Sequence, residues 1–527
     1  MRGGVLAFLL LCTWVVTVYH LSTAPDLKLP LKYSLENKKF IPKQVHGIHQ
    51  LILSGSPVER GLFAGERTKD LLFIEEMSLQ KELKKIIPNA FLQRVFFFGL
   101  MRWFWGVEKY FESSMLEEMW GVSKATTDGL NFLADPYTRQ IAYHGLHEIG
   151  QSMVDANPQS FGCTVIALPY NSGWILGRNF DFEGGRIFDE EKIMKWTYPE
   201  KGYAFLSVIW AGMVGAVTGV NEKGVYISLN AAGTSDFKRM GTPSTLVLAK
   251  ALQFAANKEE ARKIIEESEM FITDIFVVAD NRSASFLRIE KSPKRVAVLE
   301  HHSATAVANH LVDPIWANDK INRIRREEMT SQSRQERGEY LLKKLPRLNE
   351  SESVRAVLAI LRDKSNVKEK KLHLGNRGAI DGLIATHSVI WNSKRNILYV
   401  SQGPSLSGPF LGVDLQASFQ KKEIVKVKSL PADPEVSPEI YAKVFLLNEK
   451  ISKIKMLFEK EKIDSLKSEL NEAHALGIEN WNLSALQGDY ALLQKNLKLA
   501  KTYWLKAQDL EPPYLADRVE LKRKLKR

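Results

Sequence analysis

Cys163 is one of only two cysteines in the 527 residues, and it stands in the segment 161–164, Phe-Gly-Cys-Thr, directly before an apolar run that predicts a strand. The other cysteine, Cys12, belongs to an N-terminal hydrophobic segment. The folded body therefore carries a single thiol with no partner for an intrachain disulfide. Such a thiol is either a nucleophile or a buried packing residue, and the charged residues that come soon after it in the chain favour the nucleophile.

A cation and a carboxylate follow Cys163 after one predicted hairpin. The second strand of that hairpin ends in residues 177–182, which include Arg178 and Asp181. Successive strand residues point to opposite faces, but a β-bulge near a strand end often redirects a side chain. We therefore expect both side chains to face the thiol, and an ordinary surface ion pair is the alternative.

A glycine-rich stretch over residues 214–225 leads into an apolar strand that ends at Asn230. Its glycine spacing does not fit the phosphate-binding loops of nucleotide enzymes. The Asn230 amide could donate to an oxyanion, or it could cap a turn. The chain has no CxxC pair and no HExxH motif, and we interpret His301 and His302 as a surface pair. We expect no cofactor and no metal.

The elements that must position these residues change in type along the chain. Residues 45–160 predict mostly helices, including 116–133 and 137–153, because apolar residues recur three and four positions apart. Strands are predicted at 163–168, 173–182, 203–210, 224–230, 275–279, 284–289, 295–299, 388–391 and 397–401, with helices at 246–256 and 258–268 between the two groups. Sheet, helices and sheet in this order predict a layered α+β domain.

At 527 residues the chain exceeds the size of a single core, so we expect one large domain and a smaller unit. The predicted boundaries are 1–24 for a signal peptide or membrane anchor, 25–162 for a helix-rich leading segment, 163–430 for the core, 431–438 for a proline-containing linker and 439–527 for a helical region. In the last region Gly488, Ala500, Trp504, Ala507 and Pro512 have the spacing of one tetratricopeptide repeat. We expect a short repeat-like appendage that could bind a partner protein.

Composition and charge exclude several classes of protein. Hydrophobic residues at 45% and aromatic residues at 10% exclude a disordered chain. The net charge of +12 includes a basic tail over residues 521–527, but no nucleic-acid-binding motif accompanies it, so we expect no nucleic-acid partner. The apolar run 5–19 behind Arg2 indicates export, with either cleavage after Ala24 or retention as a membrane anchor. We therefore expect a periplasmic, extracellular or membrane-anchored protein.

An aromatic run occupies residues 96–105, with the sequence Phe-Phe-Phe-Gly-Leu-Met-Arg-Trp-Phe-Trp. Such a run could line a pocket for an acyl chain or dip into a membrane surface. A helix buried against a sheet is a third interpretation. The first of these predicts a substrate with an apolar acyl group.

Six short segments occur in an order that is similar to that of a known family. They are residues 54–61, 118–122, 162–164, 178–181, 221–224 with Asn230, and 308–310. Together they resemble the isopenicillin-N acyltransferase family, self-cleaving cysteine members of the N-terminal-nucleophile hydrolases, to which choloylglycine hydrolases and acid ceramidases are more distantly related. The resemblance covers about residues 45–415, and it implies a four-layer αββα sandwich.

The resemblance also implies roles for particular residues. The Cys163 thiol would attack the Gly162 carbonyl, and the chain would be cut so that Cys163 becomes a new N-terminus whose amine activates its own thiol. Asp181 resembles the carboxylate that orients this amine, and Arg178 the neighbour that tunes the thiol. Asn230 and Asn309 resemble the side chains that stabilise the oxyanion. Arg323 resembles a family arginine, with a solvated helix face as its alternative. The resemblance implies that Ser388 assists self-cleavage, although it could equally be a plain strand serine.

The predicted function is hydrolysis of a non-peptide amide bond in a small N-acyl substrate, through a thioester at Cys163. Acyl transfer to an amine is the nearest alternative, because the same thioester can react with water or with an amine. Coenzyme A could then be a thioester donor, although an exported location disfavours it. A noncatalytic envelope scaffold and a cysteine peptidase that uses a histidine are the alternatives from other classes.

Overall fold

A computed structural model describes residues 34–43, 47–126, 128–145, 161–460 and 463–527. The predicted signal peptide or anchor, residues 1–24, lies outside the described residues, and so does the end of the helix predicted at 137–153. Among the helices that are described, we find none both long enough and apolar enough to cross a membrane.

Nine described strands form the first sheet. Its order is β1-β2-β5-β6-β7-β8-β9-β10-β11, antiparallel except for the parallel pair β2 and β5. The strands are β1 (Lys39–Ile41), β2 (His49–Gly55), β5 (Ile193–Pro199), β6 (Phe205–Ile209), β7 (Thr218–Asn221), β8 (Val225–Ala231), β9 (Asp274–Asp280), β10 (Phe286–Lys291) and β11 (Val296–His301). Because β1 and β2 precede Cys163, the leading segment supplies strands as well as helices.

Seven described strands form the second, antiparallel sheet in the order β12-β3-β4-β13-β14-β15-β16. They are β3 (Phe161–Tyr170), β4 (Gly173–Phe182), β12 (Thr305–Val307), β13 (Ala385–Asn392), β14 (Ile397–Ser401), β15 (Phe410–Asp414) and β16 (Val425–Leu430). The β3–β4 hairpin has a regular register that places Gly162 opposite Asp181 and Cys163 opposite Phe180. This register fixes which residues surround the thiol.

The two sheets pack face to face through large aromatic side chains. The Tyr226 ring of the first sheet stacks on the Trp391 ring of the second, with centroids 5.4 Å apart. Trp174 of the second sheet meets Phe286 of the first edge to face at 5.0 Å. All four side chains are fully buried in one apolar cluster, so the sheets share a continuous core.

Helices cover the outer face of each sheet. Those against the first sheet include α1 (Pro57–Ile86), α3 (Ser113–Ser123), α4 (Pro136–His144), α6 (Ser244–Phe254) and α7 (Lys258–Glu267), while α2 (Ala90–Trp103) follows α1 and the short helix α5 (Ile187–Glu190) follows β4 in the chain. Those against the second include α9 (Ser331–Lys344) and α10 (Glu350–Leu361), and α8 (Lys320–Glu327) precedes α9. Helix α11 (Leu415–Lys421) packs its Phe419 ring on Trp196 at the core between the sheets. Leu248 of α6 packs with Phe276 of the first sheet, and Val357 of α10 with Ile390 of the second. The predicted four-layer αββα arrangement is therefore confirmed.

The helix predicted at 116–133 is shorter in the structure, because α3 ends at Ser123. Its close packing on α1 explains the position of two glycines in the motifs. A Cβ atom on Gly61 would lie 2.0 Å from the Glu118 carbonyl oxygen, and one on Gly121 would lie 2.7 Å from the backbone of Val58. Only glycine permits this approach of the two helices.

The C-terminal region consists of α12 (Pro438–Glu459), α13 (Ile463–Ala475), α14 (Trp481–Leu493), α15 (Leu497–Asp509) and α16 (Leu515–Leu525). Helices α14 and α15 meet where Gly488 faces Trp504, whose ring would lie 2.4 Å from a Cβ at position 488. The region is bound to the core rather than free of it. Lys364 bonds Asp433 of the predicted linker at 2.7 Å, and Leu515 donates to the Glu328 carbonyl at 3.0 Å. Its likeness to a tetratricopeptide repeat stays a prediction.

Candidate active site

Cys163 lies in β3 with its side chain between the two sheets and no exposed surface. It packs with Phe180 and Val217 in a small apolar cluster. The guanidinium of Arg178 reaches it from β4, with Nη2 3.9 Å from Sγ. The only cysteine of the described residues therefore has a cation as its neighbour in a dry environment.

Arg178 is held rigidly in that position. It is fully buried and donates to the Val217 carbonyl at 3.1 Å, to the Leu229 carbonyl and to the Thr218 hydroxyl. Its Nε also lies 3.4 Å from the Asn230 Oδ1. A buried charge is tolerated where its donors are satisfied in this way. The prediction that Arg178 neighbours the thiol agrees with this placement.

Burial is the largest influence on the Cys163 thiol, and it raises the thiol pKa. The Arg178 and Arg334 charges act against burial and lower this pKa, while Asp181 raises it. The net result is a thiol pKa above its ordinary value. In the uncut chain the thiol is therefore protonated at neutral pH, and it needs a base to become a nucleophile.

Asp181 does not face the thiol, which corrects the expectation that a bulge turns Arg178 and Asp181 to one side. The β3–β4 register is regular, so strand alternation sends the two side chains to opposite faces of the sheet. The irregularity lies instead in β13, between Ala385 and His387. The Asp181 Oδ2 is 3.3 Å from the position that a Cβ on Gly162 would take. The thiol and the carboxylate therefore flank the Gly162–Cys163 peptide bond from opposite sides of the sheet.

Burial raises the pKa of Asp181 to about 7. The Arg334 and Arg377 charges oppose this rise, and the neighbouring Asp381 carboxylate reinforces it. A carboxyl group with this pKa is partly protonated at neutral pH, so it can take up or release a proton beside the peptide bond.

We expect this carboxyl group to make the uncut protein less stable as the pH rises. The folded pKa is about 7 and the ordinary value 3.8, so the contribution is present below pH 4 and is lost as the pH rises towards 7, by at most about 4 kcal/mol. Urea unfolding of Cys163→Ala between pH 4 and 8 measures this slope. The double variant Cys163→Ala/Asp181→Asn should show a smaller slope, and equal slopes would contradict the raised pKa.

Asn309 and Arg334 hold the backbone of Cys163. The Cys163 backbone N–H, which belongs to the predicted scissile bond, donates to the Asn309 Oδ1 at 2.7 Å. The Arg334 Nη2 donates to the same oxygen at 2.7 Å, and its Nη1 donates to the Cys163 carbonyl at 2.6 Å. The Asn309 Oδ1 therefore accepts hydrogen bonds from two donors in the uncut chain.

Both predicted oxyanion donors make hydrogen bonds to backbone carbonyls in the uncut chain. The Asn309 Nδ2 donates to the Ala231 carbonyl at 2.8 Å. The Asn230 Nδ2 lies 3.2 Å from the carbonyls of Val307 and Ala308. These amides link the chain segments around the site by hydrogen bonds. Their roles toward an oxyanion stay predictions.

Arg323 is not part of the cluster, which corrects its predicted place at the site. It lies on the exposed side of α8, whose inward-facing residues are Asn322 and Arg325. The arginine beside Cys163 is Arg334 in α9, which is 2% exposed. Sequence reasoning missed Arg334, because nothing in its neighbourhood distinguishes it from other helical arginines.

Ser388 lies in β13, separated from β3 by β4. Its hydroxyl donates to the Asn179 Oδ1 at 2.8 Å, on the face of the sheet that carries α10. The structure therefore places Ser388 two strands away from Cys163 in the sheet. Its predicted part in self-cleavage stays a prediction.

His387 is the histidine that this arrangement brings to the cluster. Its Nε2 lies 3.0 Å from the Thr218 hydroxyl and 3.4 Å from the Arg178 Nη1, and its ring stacks on Phe180. Burial and the Arg178 charge hold the pKa of His387 well below its ordinary value. A neutral histidine bonded to Thr218 does not form the thiolate–imidazolium pair of a Cys–His peptidase.

Two cavities lie near the Gly162–Cys163 bond. One of about 150 Å³, the thiol-side cavity, shares Phe180 and Val217 with the thiol cluster. The other, about 30 Å³, is polar and is lined by Gly162, Asp181, Arg334, Arg377 and Tyr514, among others. Tyr514 comes from the C-terminal region and hydrogen-bonds Arg377. That region therefore completes one wall of the site.

The aromatic run at 96–105 does not line the thiol-side cavity, and its part in an acyl-chain pocket stays a prediction. Its residues Phe96, Trp103 and Phe104 line a separate groove of about 530 Å³ near Phe237. Trp103 and Trp105 are half exposed or nearly so, so the run is not a fully buried helix either. The thiol-side cavity is instead walled by α1, α4 and the loop after β6.

Comparison with known proteins supplies relatives for this architecture. The model of a family described as acyl-coenzyme A:6-aminopenicillanic acid acyl-transferase matches residues 169–374. An uncharacterised protein of Archaeoglobus fulgidus is 25% identical over 293 residues, which are 52% of this chain and 47% of that protein. An acyl-coenzyme A:6-aminopenicillanic-acid-acyltransferase 40 kDa form of Emericella nidulans is 26% identical over 169 residues, 32% of this chain and 43% of that protein. The chain thus spans less than half the length of each relative.

Two hydrolases are among the solved structures to which the chain is similar. An N-acylethanolamine-hydrolyzing acid amidase ortholog of Caenorhabditis elegans has 14% sequence identity and a TM-score of 0.32, covering 50% of this chain and 100% of that one. A variant of the conjugated bile acid hydrolase of Clostridium perfringens has 13% identity and a TM-score of 0.34, covering 52% and 100%.

The family match begins after Cys163 and includes the elements that carry Arg178, Asp181, Asn230 and Asn309. It also includes Arg334, which the motifs did not reveal. The match over residues 169–374 therefore confirms the resemblance to the isopenicillin-N acyltransferase family that the six segments predicted.

Proposed function

We propose that this protein is a self-processing amidohydrolase whose nucleophile is Cys163. The observation that carries the proposal is the convergence of buried groups on one peptide bond. Arg178 lies at the thiol, Asp181 beside Gly162, and Asn309 and Arg334 on the Cys163 backbone. A structural cysteine needs none of these neighbours, whereas a bond that must be broken needs all its parts held in place.

In the proposed self-cleavage, the Cys163 sulfur adds to the Gly162 carbonyl carbon. This addition forms the C–S bond and leaves an oxyanion on a tetrahedral carbon. When the C=O bond re-forms, the C–N bond breaks, and the Cys163 nitrogen, which gains the proton lost by the thiol, becomes an amine. Water opens the thioester to give a Gly162 carboxylate and a free thiol. Asn309 already accepts from the departing nitrogen at 2.7 Å. Asp181, with a pKa of about 7, is the group that can relay the proton on the Gly162 side.

After the cut, the α-amine of Cys163 has an ordinary pKa of about 7.7–8.0 and serves as the base for its own thiol. We propose that Asp181 stabilises the cationic form of this amine. The thiol attacks an N-acyl substrate, the amine passes its proton to the leaving nitrogen, and water hydrolyses the resulting thioester. No step requires a histidine or a metal ion.

The substrate we propose is a small N-acyl amide whose acyl group enters the thiol-side cavity of about 150 Å³, because that cavity has apolar walls and abuts the thiol cluster. Acyl transfer to an amine is the second candidate. It is favoured by the family match, whose description names an acyl-transferase. The two differ in whether water or an amine opens the thioester.

The decisive test is intact mass and N-terminal sequencing of the purified wild-type chain, followed by a screen of N-acyl amides that measures the released amine. We expect a second chain that begins at Cys163, and amide hydrolysis that rises with the cut fraction. Added amines should then divert the acyl group into new amides if transfer competes. A single uncut chain from folded material would overturn the proposal and favour a scaffold or a Cys–His enzyme.

We further propose that the protein is exported, from the apolar run at residues 5–19, and that this segment could tether it to a membrane. The C-terminal helices remain a candidate surface for a partner protein. Fractionation of cells that express the full chain, with protease added outside, tests the location. Protection from the protease in intact cells and spheroplasts would contradict export.

A further inference from the structure

The C-terminal region touches the core next to the polar cavity. The segment that joins α15 to α16 lies against the loop that carries Arg377. The Asn376 Nδ2 donates to the Glu511 carbonyl at 3.0 Å. A Cβ on Gly378 would lie 3.7 Å from the Cβ of Pro513, which is ordinary van der Waals contact. Both sequence neighbours of Arg377 therefore contact the C-terminal region.

Tyr514 is the residue of this joining segment that lines the polar cavity. It is 7% exposed, although Leu515 and Ala516, which follow it in α16, are exposed. Tyr514 belongs to neither of the apolar clusters that hold the helices α12–α16 together. Its side chain is therefore buried against the core and not among the helices of its own region.

Arg377 connects Tyr514 with the cavity beside the predicted scissile bond. Its guanidinium pairs with the Glu183 carboxylate at 2.8 Å and hydrogen-bonds the Tyr514 hydroxyl. Because a guanidinium can only donate, the phenol oxygen is the acceptor. The Glu183 side chain is 45% exposed, and an exposed ion pair orients its members weakly. Of these two partners, the buried Tyr514 is the one that fixes the guanidinium.

The charged groups around Asp181 come from several elements. They are Arg178 of β4, Arg325 of α8, Arg334 of α9, and Arg377 and Asp381 of the segment between α10 and β13. Burial raises the pKa of Asp181, and the charges of Arg334 and Arg377 are the largest influences that oppose this rise. Arg334 donates to the Cys163 carbonyl within the core, whereas Arg377 bonds a residue of the C-terminal region.

We propose that Tyr514 is a positioning residue for self-cleavage, which holds the Arg377 guanidinium beside Asp181 and so makes the cut depend on the docked C-terminal region. That region then takes part in the chemistry at Gly162, although it lies outside the family match over residues 169–374. This inference rests on the proposed function, since it names a further residue for the same cleavage.

The test follows the pH dependence of self-cleavage in Tyr514→Phe, which removes the hydroxyl and keeps the ring. Chains made by cell-free synthesis are moved to buffers of different pH, and intact mass gives the rate of cutting. We expect the midpoint of the wild-type pH profile near the Asp181 pKa of about 7. In Tyr514→Phe the midpoint should rise by about one pH unit, because a loosened Arg377 lowers the Asp181 pKa less. An unchanged midpoint in folded Tyr514→Phe would overturn the inference, whatever its unfolding temperature.

Two further variants separate positioning from an indirect effect. Tyr490→Phe is the matched control, because it removes another tyrosine hydroxyl of the C-terminal region, which accepts from the Gln494 Nε2 at 3.1 Å and lies outside the polar cavity. It should keep the wild-type midpoint. Arg377→Met should move the midpoint at least as far as Tyr514→Phe does, and adding Tyr514→Phe to it should change nothing more. Additive shifts would show that Tyr514 does not act through Arg377.

If the wild type is not cut, unfolding of the uncut chain decides the question without chemistry. In the Cys163→Ala background, adding Tyr514→Phe should extend the loss of stability to higher pH, since the folded pKa of Asp181 is then higher. Such a change would sustain the positioning of Arg377 by Tyr514 even if the hydrolase proposal failed. Identical pH profiles of stability would refute it.

Discussion

Cys163→Ala is expected to yield one uncut chain that hydrolyses no N-acyl amide. The substitution removes the sulfur that must attack the Gly162 carbonyl, and with it the new N-terminus that would act as base. Because the alanine side chain is smaller and apolar, it fits the pocket formed by Phe180 and Val217. Intact mass at successive times after purification, with circular dichroism to check folding, measures the result.

Cys163→Ser keeps a nucleophile at the cut site but replaces the thiol by a hydroxyl. A hydroxyl is a weaker nucleophile than a thiol near a base, so we expect cleavage to slow by orders of magnitude while the cut site stays between Gly162 and residue 163.

A two-chain product from folded Cys163→Ala would show that another protease makes the cut. Amide hydrolysis by uncut Cys163→Ala would place the nucleophile elsewhere.

The sequence predicts the framework of this site well. The alternation of apolar runs placed the β3–β4 hairpin correctly, and the hairpin alone brings Arg178 to the thiol and Asp181 to Gly162. The predicted helices at 246–256 and 258–268 are present at Ser244–Phe254 and Lys258–Glu267. Local periodicity is sufficient to predict a helix or a hairpin wherever residues that are neighbours in sequence are also neighbours in space.

The face of Asp181 was mispredicted because the expected bulge lies in another strand. Bulges depend on pairing, and β13 pairs with β4 across more than two hundred residues of sequence. Strand β2 was missed for a related reason. Its seven residues look like the start of a helical segment, and its pairing with β1 and, across more than a hundred residues of sequence, with β5 stabilises the extended form.

Arg334 and Tyr514 could not be predicted from local patterns at all. Arg334 reaches Cys163 from a helix 171 residues away along the chain. Tyr514 belongs to a region outside the resemblance, yet it lines the polar cavity at Gly162. Buried and exposed arginines in helices have similar neighbouring residues in the sequence. Only the packing of α9 on the second sheet distinguishes Arg334 from Arg323.

Arg334→Met should slow self-cleavage by about 10²–10³-fold, the usual effect of removing one donor that is oriented toward a reacting group. The guanidinium donates to the Cys163 carbonyl at 2.6 Å, to the Thr164 hydroxyl at 2.7 Å and to the Asn309 Oδ1 at 2.7 Å. Without it, the Asn309 Oδ1 loses one of the two donors that hold it. The pKa of Asp181 should also rise further, because the Arg334 charge lowers it.

Arg323→Met is the matched control, since it removes an exposed arginine from the preceding helix α8 and should cut at the wild-type rate. Arg334→Lys keeps the charge but can reach fewer of the three acceptors, so partial rescue is expected. A merely structural role for Arg334 would lower the unfolding temperature and leave the cleavage rate of the folded fraction unchanged. If the folded Arg334→Met protein cuts as fast as Arg323→Met, the position of the Cys163 backbone does not depend on this guanidinium, and Asn309 alone must hold the bond that breaks.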